Sequence, residues 1–201
     1  MSEDLVHVVD DDDSVRDSIC FLLSSVGIVA VGYEGPLALL DVVTPAMKGC
    51  IVTDVRMPDM SGVQMIEALR ARGVPTPVIV MTGHADVPLA VEAMKVGAED
   101  FLEKPFPDDT LIRAVERALA SGRARQDAAA EKAAAVALVS RLTSREQEVL
   151  AAIVDGHSNK VIAAMMGISP RTVEVHRAHL FEKLEAASVS DLVKLKIRAE
   201  G

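Results

Sequence analysis

The sequence predicts an α/β domain, a five-stranded parallel sheet doubly wound by helices, followed by a small all-α domain. Three observations predict this. Five short apolar runs alternate with amphipathic segments through the first 120 residues, the rhythm of βα units. Runs such as PVIVM are apolar without alternation, as suits strands covered on both faces. After residue 140 such runs cease and helix-start signals follow closely on one another.

The strands are expected at 5–9, 28–31, 50–53, 77–81 and 100–102, and the helices between them at 14–26, 36–43, 61–72, 86–96 and 108–120. Residues 121–140, SGRARQDAAAEKAAAVALVS, are rich in alanine and lack proline, which reads as a helical linker. Val136, Val139 and Leu142 form a stripe too short to establish a coiled coil. Beyond it, Thr143 with Glu146 and Ser188 with Asp191 have capping-box spacing. Ser169-Pro170 is an N-cap followed by proline at the first helical position, and Ser158 is a further cap. Four helices follow, at 144–155, 159–166, 170–184 and 189–199. The organisation is therefore 1–120, a linker at 121–140, and 141–201.

Half of the 201 residues are apolar, yet there is no Trp, one Tyr and four Phe. That disfavours sugar-binding and base-stacking surfaces. No apolar run reaches the roughly 18 residues of a membrane span, and the N-terminus lacks a basic stretch followed by an apolar one. A cytoplasmic, non-membrane protein is expected. Cys20 and Cys50 read as small core residues in a reducing compartment. Charge is uneven: residues 1–121 carry about 20 acidic against 9 basic groups, and residues 141–201 about 8 against 9. The first part repels nucleic acid; the last is near neutral.

The segment HVVDDDDSVRD ends an apolar run in four carboxylates. Ligands of open α/β sheets bind beyond the carboxyl ends of the strands. Those ends carry Asp10 and Asp11, Asp54, Thr82 and Lys104. Carboxylates so clustered need a hard cation, and Mg²⁺ fits, since it takes one or two carboxylates plus waters and phosphate oxygens. Lysine cannot help hold a metal, but it pairs with an added phosphoryl group, to which a threonine hydroxyl can donate. Asp12 and Asp13 read as helix N-terminal charges.

VVDD, TDVRMPDMSG, MTGHAD and EKPF resemble the signature segments of bacterial response-regulator receiver domains, whose sheet is of the CheY/flavodoxin-like kind. The resemblance covers residues 4–120 and implies that Asp54 is the phosphoacceptor. It implies a Mg²⁺ site of Asp11, Asp54, the Arg56 backbone carbonyl and, through water, Asp10. Thr82 and Phe101 become the switch pair, Lys104 the phosphate-binding lysine, and the Lys104–Pro105 peptide cis.

In SPRTVEVHRAHLFEKL, Val173, Leu180 and Leu184 fall on one helical stripe. Arg171, Glu174, Val175 and Ala178 lie on the opposite face. The preceding helix ends in Gly167, two residues before Ser169, so a short turn joins the pair as a helix-turn-helix. Glu174 can accept from cytosine N4, Val175 and Ala178 can meet thymine methyls, and Arg171 can reach guanine or phosphate. Lys160, Thr172, Arg177 and Lys183 flank this face as expected backbone contacts. LTSREQEVL, SNKVIA and GISPRTVEVHRAHLFEKL resemble the LuxR-type DNA-binding domain. With the receiver, the chain resembles the FixJ/NarL class, and TGHADVPLAVEAMK and ISPRTVEVHRA are similar to its FixJ branch. Ala85 stands where that branch has glycine in TGHGDV.

The resemblance implies a phosphorylation-activated transcription regulator rather than an enzyme. Its implied partners are a sensor histidine kinase, promoter DNA, RNA polymerase and, once phosphorylated, a second copy of the chain. A Mg²⁺-dependent phosphohydrolase of the haloacid-dehalogenase type places an acid two residues after its nucleophile; here Arg56 stands there, which cannot protonate a leaving group. A regulator sensing an acyl ligand needs an apolar pocket, which polar strand ends do not line. A receiver acting by protein contact alone leaves the 169–184 helix unexplained.

Overall fold

The structure is a computed structural model that describes residues 5–83 and 87–200. The first unit comprises residues up to 126, the second residues 127 onward. In the first, β1 (Leu5–Val9), β2 (Val29–Tyr33), β3 (Cys50–Asp54), β4 (Val78–Thr82) and β5 (Asp100–Glu103) form one sheet. Its order is β2-β1-β3-β4-β5, with every pairing parallel. Between the strands run α1 (Asp13–Ser25), α2 (Pro36–Leu40), α3 (Gly62–Ala71) and α4 (Val87–Lys95), and α5 (Asp108–Val139) follows β5.

Side-chain alternation sorts the helices onto two faces. Val6, Val8, Cys50, Val52, Ile79 and Met81 pack with Ile19 and Leu23 of α1 and with Leu111, Val115 and Ala118 of α5. Val9, Ile51, Val78 and Val80 pack on the other face with Leu39 of α2, Ile66 and Leu69 of α3 and Ala93 of α4. Both faces of the central strands are thus covered, which is why those runs are apolar throughout. β2 departs from this pattern. It lies at the sheet edge with Val29 and Val31 exposed, and runs to Tyr33 rather than stopping at 31.

Two helices differ from expectation. α2 ends at Leu40, three residues early. α5 does not stop near 120 but continues to Val139, in keeping with the alanine-rich composition of 121–140. Gly122 is buried, and a Cβ there would lie 3.1 Å from the Gly49 carbonyl oxygen. Gln126 donates to the Met47 carbonyl at 3.2 Å, and Arg125 pairs with Glu99 at 2.5 Å. The first unit therefore holds α5 six residues past the expected boundary. Neither cysteine forms a disulfide, Cys50 being buried and Cys20 half-buried.

The second unit contains the end of α5 and α6 (Ser144–Val154), α7 (Asn159–Met166), α8 (Pro170–Lys183) and α9 (Val189–Glu200). Leu142, Val149, Leu150, Ile153, Ile162, Val173, Leu180, Leu184 and Leu192 make its core. Thr143 and Glu146 form the reciprocal capping box that their spacing predicts. Ser158 caps α7 by position but makes no side-chain bond to it. Gly167 ends α7 in the left-handed region, φ 66°, where a side chain is unfavourable. Ser169 then accepts from the Thr172 N–H at 3.1 Å, starting α8. Among the described residues no helix is long and apolar enough to cross a membrane.

Candidate functional site

Strand order reverses between β1 and β3, because the chain leaves β1 toward β2 on one side and returns to β3 on the other. Such a switch point opens a crevice at the carboxyl ends of the strands. Asp10 follows β1 and Asp54 ends β3, and both carboxylates reach Lys104 from the loop after β5. Lys104 Nζ donates to Asp54 Oδ1 at 2.5 Å and to Asp10 Oδ2 at 3.2 Å. The Arg56 N–H donates to Asp54 Oδ2 at 2.7 Å, and the Asp12 N–H to Asp10 Oδ1 at 3.0 Å. Each carboxylate thus has one oxygen on the lysine and one on backbone.

Asp10 is buried and Asp54 half-buried. Burial pushes the Asp10 carboxyl above its ordinary range, against the pull of the Asp12 N–H and of Lys104. For Lys104, burial pulls down, but the bond to Asp54 and the charges of Asp54 and Asp10 outweigh it and hold the ammonium above its usual pKa. The lysine is a fixed cation between two acids.

The other expected residues separate. Asp12 is the N-cap of α1, accepting from Ser14 N–H at 2.8 Å, and Asp13 pairs with Arg16. Asp11 is exposed and lines a groove with Asp59, Met57 and Pro58 beside the crevice. Thr82 is buried, and its hydroxyl donates a long 3.4 Å bond to the Gly83 carbonyl. Phe101 stands outward, 44% exposed. The Lys104–Pro105 peptide is cis. Ala85 and the expected start of the fourth helix at 86 lie outside the described residues.

Among the described residues no three His, Cys, Asp or Glu side chains form a ready-made ligand cluster. Mg²⁺ keeps several waters and takes only one or two carboxylates. Asp54, Asp11 and the Arg56 carbonyl are all hard oxygen donors, and they fit that chemistry.

In the second unit, Arg171, Thr172, Glu174 and Ala178 of α8 are exposed, and Val175 is 50% exposed. Val173 and Leu180 are buried on the opposite side, as the stripe predicts. Lys160 is exposed on α7. The Thr172 hydroxyl hydrogen-bonds with that of Ser169 at 2.8 Å, and the Arg177 guanidinium lies 5.9 Å from the Phe181 ring centroid. Lys183, expected to flank the DNA-facing surface, is the last residue of α8. Its Nζ donates to Glu146 Oε2 at 2.8 Å.

That carboxylate oxygen also accepts from the Thr143 N–H and hydroxyl at 2.8 and 2.9 Å. The Lys183 bond and these Thr143 bonds hold the Glu146 carboxyl down at about 2, from an ordinary 4.5. A depressed folded-state pKa stabilises above the unfolded value and is lost as pH falls through the folded one. The gap in melting temperature between the native chain and Glu146→Gln should be widest above pH 4.5 and shrink as pH falls toward 2. A gap constant with pH in melting curves would count against the ion pair.

The chain joins a doubly wound sheet, with an acid–lysine crevice at its switch point, to a helix-turn-helix unit. Residues 6–116 match the response regulator receiver domain, and residues 140–195 match the bacterial regulatory proteins of the luxR family. The chain belongs to the response-regulator family, in the group that carries a LuxR-type DNA-binding domain. It is 50% identical to the transcriptional regulatory protein FixJ of Azorhizobium caulinodans, over 96% of this chain and 92% of that one. The crystal structure of full-length FixJ from B. japonicum shares 43% identity at a TM-score of 0.61, covering 100% of this chain and 98% of that one. The response regulator StyR shares 39% identity at a TM-score of 0.87, covering 98% and 100%.

Proposed function

We propose that this response regulator takes a phosphoryl group from a sensor histidine kinase on Asp54, pairs with a second copy, and binds promoter DNA through α8. The observation that carries this reading is the convergence of Asp54 and Asp10 on Lys104 at the switch point. A carboxylate nucleophile there sits beside a fixed cation that can receive the transferred charge.

In the transfer, an Asp54 carboxylate oxygen attacks the phosphorus of the kinase phosphohistidine. The O–P bond forms as the N–P bond breaks, and the histidine leaves as imidazole, taking a proton from water. Asp54, Asp11 and the Arg56 carbonyl, with Asp10 through water, would hold Mg²⁺, and that ion would supply charge neutralisation as the two anions meet. The acyl phosphate carries a charge of about −1.5 to −2, with which Lys104 pairs. The Thr82 hydroxyl gives up its long bond to Gly83 and donates to a phosphoryl oxygen. Its movement makes room for Phe101 to turn inward, which reshapes the surface of α4 and β5 where the second copy pairs. RNA polymerase is the downstream partner in this reading, and the compartment is the cytoplasm.

One near-neutral DNA-binding unit neutralises few phosphates, so a single copy binds weakly and a pair gains effective concentration. Intact-mass spectrometry after acetyl phosphate and Mg²⁺, followed by sizing and footprinting on the same sample, tests the sequence of events. A phosphorylated sample that neither pairs nor protects DNA better than the untreated one would sink the reading.

Two substitutions separate the roles on the DNA side. Glu174→Ala should lose about 1–3 kcal/mol of discrimination at one base position, while Lys160→Ala should weaken all sequences alike and flatten the salt dependence by about 0.9 in log–log slope. Binding isotherms on operator variants over a salt series check both. An unchanged preference in Glu174→Ala removes that residue from base reading.

A further inference from the structure

The last turn of α8 is tied to the first turn of α6 through a single carboxylate oxygen. Glu146 is 4% exposed in its side chain and is already oriented by both Thr143 bonds, while Lys183 is 38% exposed and reaches in to it. The backbone at Lys183 is fixed too. Ala186 N–H donates to the Phe181 carbonyl at 3.0 Å, and Glu185 takes a φ of 52°, which closes the end of the helix.

Lys183 stands nine residues after Glu174, about 180° around a helix turning about 100° per residue. When Glu174 faces a base edge, Lys183 faces the body of its own unit. The packing of α8 is otherwise an apolar stripe, Val173, Leu180 and Leu184 among Val149, Leu150 and Ile153. Such a seam attracts without fixing direction. At its other end α8 is held by the short turn from Gly167 to Ser169. The ammonium–carboxylate bond is directional and supplies the second fixed point.

We propose that the Glu146–Lys183 pair is a positioning element for DNA reading: it sets the angle at which α8 presents Glu174, Val175 and Ala178 to the major groove, and Lys183 is not a phosphate contact. This inference rests on the DNA-binding reading above. α8 has 14 residues, about 21 Å at about 1.5 Å per residue. If its far end drifts by about 2 Å around the N-terminal turn, residues 174–178 move by roughly 0.5–1 Å, enough to spoil hydrogen bonds whose donor–acceptor distances span only about 0.5 Å.

The test uses the full chain phosphorylated with acetyl phosphate, a duplex that the native chain selects from a random pool, and a scrambled duplex of equal length. Dissociation constants are measured on both over a KCl series for Lys183→Met, Glu146→Gln and the double variant. Glutamine keeps the capping box, so the second variant retains the start of α6. Each single variant should lower the selected-to-scrambled ratio by about tenfold, which corresponds to about 1.4 kcal/mol. The double variant should match either single one, with the salt slope on scrambled DNA unchanged.

A slope lowered by about 0.9 in Lys183→Met alone marks a phosphate contact and overturns the proposal. Lower melting temperatures with an intact ratio at 25 °C mark a role in stability only and overturn it equally. A native chain that selects no sequence from the pool removes the DNA-binding reading and this inference with it.

Discussion

Asp54→Asn should show no mass gain with acetyl phosphate and Mg²⁺, where the native chain gains about 80 Da, one phosphoryl group. Asparagine has the same shape but no anionic oxygen to attack phosphorus. Asp54 Oδ1 lies 2.5 Å from Lys104 Nζ. The substitution leaves the Asp10–Lys104 pair at 3.2 Å, so the sheet and its crevice remain and the loss is chemical rather than structural. Circular dichroism should therefore be unchanged while pairing and operator protection no longer respond to the phosphodonor. An adduct of full size in the asparagine variant would place the acceptor on another residue and dismantle the mechanism.

Gly62→Ala should damage the first unit more than its chemistry suggests. Gly62 begins α3, and its N–H donates to the Val55 carbonyl at 3.0 Å. A Cβ there would lie 2.5 Å from the Asp54 backbone oxygen and 3.2 Å from Val55 Cα. The restriction is one of space, and the atoms in the way are backbone, which cannot rotate aside. Over-packing of this kind costs about 1–3 kcal/mol, and relief must come from shifting the strand end that carries Asp54. The Arg56 N–H that holds Asp54 Oδ2 at 2.7 Å moves with it. Melting temperature should fall by several degrees, and the adduct should form more slowly. Gly35→Ala is the matched control: its φ of 171° is extended, and nothing lies within 4 Å of its Cβ position. Equal melting and equal phosphorylation rates in the two variants would show that the loop absorbs the methyl group and that this close approach does not shape the site.

Which groups the strands deliver to the crevice was legible from the sequence, because side chains alternate along a strand and parallel strands end on one edge. Asp10, Asp54, Thr82 and Lys104 follow from those two rules. The capping box at Thr143 and Glu146 was legible for the same kind of reason, since it joins residues three apart. The exposure of Val29 and Val31 was not legible, because a strand's place at the sheet edge depends on the order in which strands pair. Nor was the reach of the first unit along α5, which depends on Gly122 meeting Gly49 and on Gln126 reaching Met47 across 79 residues.

The sequence by itself determined which strands and helices form and which carboxylates stand at the strand ends, because each is written in neighbours a few residues apart. Only the tertiary structure decided where the long cationic side chains end. Lys104 spans 94 and 50 residues to bridge Asp10 and Asp54, and Lys183 spans 37 to reach Glu146. A lysine ammonium on a flexible stem has several partners within reach, and the choice among them is made by whichever buried acid the fold brings close.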